Sequence, residues 1–600
     1  MSLSPTPARA EMAPPSLAGL AGDPGSKEAI ARLTRDCAGS RTKVERKVAN
    51  LLRSALRSIA AQDFAEASRQ AIAALNLDER QGLAWHVLAI AQEKAGQLDK
   101  AFAAYEAAIK LLPDETEVAH DLGRLAHRLG HLEIAEKLLS RYLARRPGHV
   151  EATNNLACAL RDQNRNEEAI ALLSELIGLL PEQPVLWNTL GTVLSERGDA
   201  EQSLPFYDEA LRLDPGFYRA LYNRANVRMA LGNPRQALED IDRALAGTSD
   251  PGELAVMNMA RALILLMVGD LEAGFDTYEV RFDPHLSDAV VFQPFGARWS
   301  PEDDLAGKTL LVYGEQGLGD EVLFANVLAD VEAALGPNGR MILALEKRLV
   351  PLFQRSHPRA LVVPHRSVGH MGRIMRTALL PDPAPAIDSW TPIGSLFRRF
   401  RRSTKAFPQH GGFLQPAPER VAHWRAVLAE EGPQLKVGVI WKSLKMTGSR
   451  VRAFSPFEMW RSVLSLPDIQ FVNLQYGDVE AEMQAAREAG IRLWTPPGID
   501  LKNDLDDLAA LTRALDLVVA SSTATTNIAA ACGAEVWVVA GTDAWIRFGT
   551  DQIPCYPSAR IFQTDRPGEW GPVMDRLCTA LPELVAATSD DRPVRVGAPT

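Results

Sequence analysis

The residues best equipped for chemistry lie in the stretch LLVYGEQGLGDEVLFANVL, residues 310 to 328. An apolar run leads into Gly314, Gly317 and Gly319, and a helical pattern follows. A strand, glycine turn and helix of this kind can aim backbone N–H groups and a helix N-terminus at an anionic group. No Lys-Ser/Thr pair follows the glycines, so a nucleoside-triphosphatase loop is excluded. The spacing is G-x-x-G-x-G, and no acid clearly ends the second strand to hold a ribose, Glu346 being a candidate, so a dehydrogenase fits poorly. Asp320 puts a carboxylate at the head of the helix. Such a group can take the proton of an attacking hydroxyl, or it can simply cap the helix and complement its dipole. A tight turn without a ligand is the plain alternative for the loop as a whole.

Such a loop needs a parallel sheet behind it. KTLLVYGE, RMILALEK and ALVVPH read as short apolar strands, and DEVLFANVLADVEAAL has helical spacing. After the proline-marked, polar PQHGGFLQPAPERV the alternation resumes with LKVGVIWK, PFEMWRSVLS, DIQFVNLQYG, DLAALTRAL, DLVVASST, NIAAACG and AEVWVVAG. This pattern predicts an α/β region of two Rossmann-like lobes over 305–415 and 434–582, with a linker at 416–433 and a tail at 583–600. Ligands in such folds bind beyond the carboxyl ends of the strands.

The first half has a different period. Pro113, Pro147, Pro181 and Pro215 are spaced by 34 residues, with Gly96, Gly130, Asn164, Gly198 and Gly232 in step. Small residues recur at Ala67, Ala101, Ala135, Ala169, Ser203 and Ala237, and large ones at Leu88, Leu122, Leu156 and Leu190. The pattern resembles the tetratricopeptide repeat (TPR), two helices per unit with the glycine at the turn and the proline closing the second helix. An all-α TPR solenoid is expected over 45–285, ending in an out-of-frame helical pair, with a linker at 286–304. Its concave groove suits a peptide or protein partner. Asn154, Asn155, Asn188, Asn223 and Asn226 fall on the first helices of their units, where they are placed to hydrogen-bond an extended partner. Oligomerisation or domain spacing is the alternative use of the array.

Bulk properties narrow the classes. The chain is mildly acidic, with net charge −10, so no nucleic-acid partner is expected. Five scattered cysteines without a C-x-x-C favour neither zinc nor a disulfide framework and fit a reducing cytoplasm. The Pro/Ala/Ser/Gly-biased start reads as a disordered arm over 1–44 without a secretory signal. The longest apolar run, ALILLMVG, is too short to span a membrane.

The run RWSPEDDLAGKTLLVYGEQGLGDEVLFANVL, placed directly after a repeat array ending in GDLEAGFDTYEVRF, is similar to bacterial TPR proteins with a fused GT-B glycosyltransferase domain. That domain is related to the heptosyltransferases and more distantly to the O-GlcNAc transferase. DLDDLAALTRALDLVVASSTATTNIAAACGAEVWVV and DAWIRFGTDQIPCYPSARIFQ carry the resemblance onward. Within this group the chain looks most like the flagellin-modifying TPR glycosyltransferases of flagellated alphaproteobacteria. The resemblance implies flagellin as protein partner and a metal-independent transfer of a nonulosonic acid of the pseudaminic type from a nucleotide sugar, CMP-linked, to Ser/Thr. No cofactor, metal or membrane is implied. Asp320 would be the catalytic base. Gly317, Gly319, Lys442, Arg450 and Arg452 would face the donor phosphate, the arginines through their forked donors. Relatives carry an Asp-Thr and then a His where this chain has Ser522, Thr523 and Asn527. Replacing that Asp removes a charge that would repel a sugar carboxylate. Ser522, Thr523, Thr525, Thr526 and Asn527 would then bind the donor. The same change also fits a TPR flagellin chaperone or regulator with a degenerate domain.

Three further patterns are expected to be structural. Asp504 and Asp506 resemble a metal-binding D-x-D but precede an apolar helix that they would cap. His357, His365 and His370 lack ligand partners at suitable spacing. The basic run 398–405 reads as a solvated helix face.

Overall fold

The computed structural model describes residues 23–37, 42–286, 289–370, 373–409, 411–444 and 453–590. The chain divides into two compact units near residue 225. Among its described residues the first is helical and has no strand, with antiparallel pairs from Lys43–Ala60 and Phe64–Leu75 to Pro184–Arg197 and Ala200–Leu213. Gly96, Gly130 and Gly198 take positive φ at the turns within pairs, and Asn164 does so at the turn that lacks glycine. Such a backbone conformation costs glycine least and asparagine little. Ala67, Ala101, Ala135, Ala169 and Ser203 are completely buried between helices, where a larger side chain would hold the pairs apart.

The expected arm is helical in part. Lys27–Asp36 form a helix capped by Ser26, and Leu33 and Cys37 join the core of Val48, Leu52 and Leu56. The Pro/Ala/Ser/Gly bias stops before Lys27, and Ile30, Leu33 and Cys37 then recur on one helical face.

From residue 225 the chain adds the helices Pro234–Leu245, Pro251–Val268 and Leu271–Tyr278 and then becomes α/β. Pro251–Val268 is longer than its apolar run suggested. Its mean hydropathy of 1.4 would allow a membrane span by length and composition alone. Met257, Ile264 and Leu266 are nevertheless buried in the protein.

The first sheet contains β1 (Val290–Phe292), β2 (Ala297–Arg298), β3 (Thr309–Tyr313), β4 (Arg340–Leu345), β5 (Leu361–His370), β6 (Arg373–Ala378) and β7 (Ser389–Pro392). Their order is β1-β6-β5-β4-β3-β7-β2, parallel except for the β5–β6 pair. The second sheet contains β8 (Leu435–Ile440), β9 (Ile469–Asn473), β10 (Leu493–Trp494), β11 (Leu517–Ser521), β12 (Val536–Ala540) and β13 (Arg560–Gln563). It is parallel throughout in the order β10-β9-β8-β11-β12-β13. One apolar core joins the sheets, including Leu310 and Val312 from the first and Ile440 and Val518 from the second, with Leu323 and Ile528 from the helices that follow β3 and β11.

Two stretches expected to be linkers are structural. Residues 286–304 supply β1 and β2. Residues 416–433 supply the helix Pro418–Glu430, whose Val421, Trp424 and Leu428 are buried. It packs on Leu505–Ala514, with Trp424 Nε1 donating to Asp507 at 2.9 Å. The final helix, Gly571–Asp590, runs through the start of the expected tail.

Candidate functional site

The glycine loop leaves the end of β3 and enters the helix Leu318–Phe324. Two of its glycines sit in close packing. A Cβ on Gly314 would overlap the Glu321 carboxyl, and one on Gly319 would press on Asn527 Nδ2 at 3.2 Å. The loop places three buried carboxylates within seven residues: Glu315, Asp320 and Glu321.

Two of the three have cationic partners. Glu315 accepts from Arg281 Nη2 at 2.9 Å and from the Gly394 N–H at 2.8 Å. Arg281 is itself buried, bonded to Glu279 at 2.8 Å and lying 4.0 Å from the Phe282 ring centroid. Glu321 lies 2.9 Å from His365 Nε2 and 3.8 Å from Arg376 Nη1, and accepts from the Glu346 N–H. Arg376 also donates to the loop carbonyls of Gly314 and Gln316, at 3.3 and 3.1 Å. These contacts fix the loop from its carbonyl side.

Asp320 differs from both. Its Oδ1 is buried without a hydrogen-bond partner among the described residues. Burial, then the charges of Glu315 and Glu321, push its carboxyl up from 3.8 to about 7, against smaller opposing effects of Arg281 and a bond from the Gly317 backbone. Gly317 occupies the N-cap with no side-chain cap. Capping by another side chain is absent there, and helix stabilisation leaves the open oxygen unexplained. A buried carboxyl that titrates near neutrality can accept a proton from a hydroxyl.

The second sheet brings the helix Ala524–Ala531 against the loop helix. Asn527 Nδ2 donates to the Gly319 carbonyl at 3.0 Å. Thr523 is the N-cap, its hydroxyl 3.0 Å from that of Thr526, which donates to the Ser521 carbonyl at 2.6 Å. Thus Thr523, Thr526 and Asn527 make bonds within the protein. Ser522 and Thr525 make no such bond among the described residues, and Ser522 is partly exposed. Lys442, just past β8, is ion-paired with Glu482 and donates to the Asp478 carbonyl at 3.0 Å. Arg450 and Arg452 lie outside the described residues.

In the helical repeats, Asn154, Asn155, Asn188 and Asn223 are buried, and they connect successive first helices. Asn223 Nδ2 donates to Asn188 Oδ1 at 3.0 Å, Thr189 donates to Asn154, and Asn154 donates to Asn155 at 3.3 Å. His86–Asp121 and His127–Asp162, both 2.8 Å, make the same step of 35 residues along the array. Asn226 is partly buried, and neither amide atom has a partner among the described residues.

The patterns expected to be structural are so for other reasons. Asp504 is an N-cap by position, but its carboxylate accepts from the Asp500 N–H and makes no cap bond. Asp506 pairs with Arg355, and Asp507 with Arg420. His357 pairs with Glu332 and His365 with Glu321. The basic run 398–405 is an internal clasp, not a solvated face. Arg398 pairs with Asp276, Arg402 with Glu272, and buried Arg401 with Asp330 and Asn326. Among the described residues no group of three or more His, Cys, Asp or Glu side chains is arranged to hold a metal ion.

Sequence reasoning missed Arg281, Glu315, Glu321, His365 and Arg376. Glu315 and Glu321 stand in the glycine motif itself and could have been found as acids flanking Asp320. Nothing local in the sequence joins Arg281 to Glu315, or His365 to Glu321.

Comparison with known proteins identifies the repeats and finds a relative along nearly the whole chain. Tetratricopeptide repeat models match residues 82–125, 120–184 and 188–253, and such repeats serve protein–protein interaction. A peroxisomal targeting signal receptor of Candida glabrata is 35% identical over 78 residues, 13% of each chain. A thermophilic TPR protein of Thermus thermophilus superposes with TM-score 0.27 at 21% identity, covering 30% of this chain and 98% of that one. Protein FlbA of Caulobacter vibrioides is 48% identical over 575 residues, 96% of either chain. That identity runs through the repeats and both sheets, and the chain belongs to the family of Protein FlbA.

Proposed function

We propose that this protein is a metal-independent O-glycosyltransferase with a GT-B fold that works on a protein substrate in the cytoplasm. The repeats hold flagellin, and the α/β unit transfers a nonulosonic acid of the pseudaminic type from a CMP-linked donor to a Ser or Thr hydroxyl. The observation that carries this reading is Asp320, buried at the end of a glycine loop with Oδ1 open and its carboxyl poised near 7. The acceptor hydroxyl gives its proton to Asp320 Oδ1 as its oxygen bonds to the anomeric carbon. The bond from that carbon to the donor phosphate breaks, and the electron pair leaves with the phosphate. Ser522 and Thr525, at the head of the Ala524–Ala531 helix, are free to hydrogen-bond the phosphate or the sugar carboxylate. Lys442 joins them once Glu482 releases it. The resemblance of the repeat-to-loop sequence supplies flagellin and the sugar class.

The test is the intact mass of flagellin co-expressed with this protein and a pseudaminic acid pathway, beside the Asp320→Ala variant. Mass increments of that sugar, absent with the variant, are expected. An increment that survives Asp320→Ala removes Asp320 as base but keeps the transferase.

A second reading has its own observation. Lys442 is neutralised by Glu482, and Thr523 and Thr526 serve their own turn, as in a binding protein whose donor site has closed. Flagellin held by the repeats but never modified would favour that reading.

A further inference from the structure

The helix Lys27–Asp36 lies across the inner face of the first repeats. It packs on Lys43–Ala60, the first helix of the first unit, and its Leu33 shares a core with Cys37, Leu52 and Leu56. Asp23, just ahead of it, pairs with Lys94 Nζ at 2.5 Å, and Arg32 pairs with Glu117 at 2.9 Å. A Cβ on Gly25 would overlap Lys94 Cε, so the backbone there rests on that side chain. Lys94 ends the first helix of the second unit, and Glu117 stands in the first turn of the first helix of the third. First helices line the concave side of such an array. Residues 23–37 therefore occupy the groove over three units.

The groove suits that helix at this end only. In the 34-residue register Leu52 takes the place of His86, His120, Asn154 and Asn188, while Leu56 and Ile90 take that of Arg124, Cys158 and Thr192. The inner face is thus apolar at the start of the array and largely polar beyond. The helix matches the apolar end. Ala29, Leu33 and Cys37 recur on one face and are buried, while Lys27, Glu28 and Arg35 are exposed.

Its hold is slight. A helix of ten residues has little stability of its own. Among its described residues Leu33 is the one large apolar side chain that is buried, and Ile30 is half-buried. The side chains of Asp23, Lys94 and Arg32 are 51%, 31% and 35% exposed, and ion pairs so open add little. Ala29 and Cys37 are small. A helix with larger apolar residues at those places would bury more area. That gain is what displaces a competitor whose covalent attachment keeps it at high local concentration.

We propose that the concave face of the first three units is a docking site for an amphipathic helix of a partner protein, held closed by the chain's own helix Lys27–Asp36 until the partner displaces it. The partner helix carries apolar residues at i, i+4 and i+8, an acid just ahead of its first turn for Lys94, and a cation for Glu117. This rests on the reading that the repeats hold flagellin only for the name of the partner.

The test uses the full chain, as wild type and as Leu33→Asp, with a labelled peptide of residues 23–37 as the probe. Fluorescence anisotropy should show the peptide bound roughly 10-fold or more tightly by Leu33→Asp than by wild type, because the variant's own helix no longer competes for the apolar end of the groove. The same peptide carrying Leu33→Asp should bind neither protein. Arg32→Glu, at a partly exposed position facing Glu117, leaves the core intact and should tighten the peptide by about 3-fold. It keeps the test decisive if Leu33→Asp folds poorly. Equal peptide binding by all three proteins makes the helix a fixed structural cap and overturns the proposal, whatever the Tm. A wild-type dimer that Leu33→Asp dissociates gives the groove to a second copy and overturns the partner. Flagellin should also bind the variants more tightly than wild type. Peptide that tightens while flagellin does not keeps the helix site and takes flagellin off it.

Discussion

The two strand-to-helix turns of the α/β unit solve the same geometric problem with opposite economies. The turn after β11 satisfies three of its side chains within the protein. Thr523 caps its helix, Thr526 donates to Ser521, and Asn527 reaches Gly319. The turn after β3 collects three buried carboxylates, and partners from Arg281, His365 and Arg376 reach only two of them. A chain under selection for stability alone has no reason to bury Asp320 with an open oxygen, because an unpaired buried carboxyl costs free energy. The contrast sets a turn whose side chains bond within the chain against one that leaves a buried carboxyl oxygen without a partner among the described residues.

The strongest way to break the comparison is Arg281→Met. It leaves Glu315 buried without a cation and should cost on the order of 3–5 kcal/mol in denaturant unfolding. The double variant with Glu315→Gln should recover part of that loss, because the pair acts as a unit. A cost near zero would mean that water already solvates Glu315.

Next is Asp320→Asn, read as stability against pH. A carboxyl whose folded pKa, about 7, exceeds its ordinary 3.8 favours the fold only while protonated. That contribution is complete below pH 3.8 and disappears as pH rises through 7. Asp320→Asn lacks this loss, so above pH 7 it should exceed wild type by on the order of 2–4 kcal/mol relative to their difference at low pH. Parallel profiles for the two proteins would remove the free-energy cost assigned to the buried Asp320 carboxyl.

Gly314→Ala puts a methyl group into the Glu321 carboxyl. It should cost about 1–3 kcal/mol by overpacking and should lower transfer by displacing the loop. The smallest effect belongs to the self-satisfied turn. Thr523→Ala should cost about 1 kcal/mol, and Thr523→Ser much less, as for any N-cap. A Thr523→Ala protein of normal stability that fails to bind the donor would move Thr523 from structure to chemistry and blur the contrast.

Much of the architecture could be read from periodicity. The 34-residue spacing located the helix pairs because each pair meets the same demands: a left-handed turn residue, a small contact residue and a proline stop. Apolar runs located β3, β4, β8, β11 and β12, whose residues are buried on both faces. The edge strands β1, β2 and β10 span only two or three residues and left no periodic trace. The helix Pro418–Glu430 was hidden behind prolines that mark its start rather than a loop.

What the sequence determined by itself was the pair of architectures and the loop with Asp320 at its head, because local spacing and backbone preference act over a few residues. What only the tertiary structure decided was the charge state of that loop. Arg281, His365 and Arg376 come from 39 residues before Asp320 to 56 after it. Burial and Coulomb interactions between groups so far apart in the chain depend on distances that no local pattern encodes.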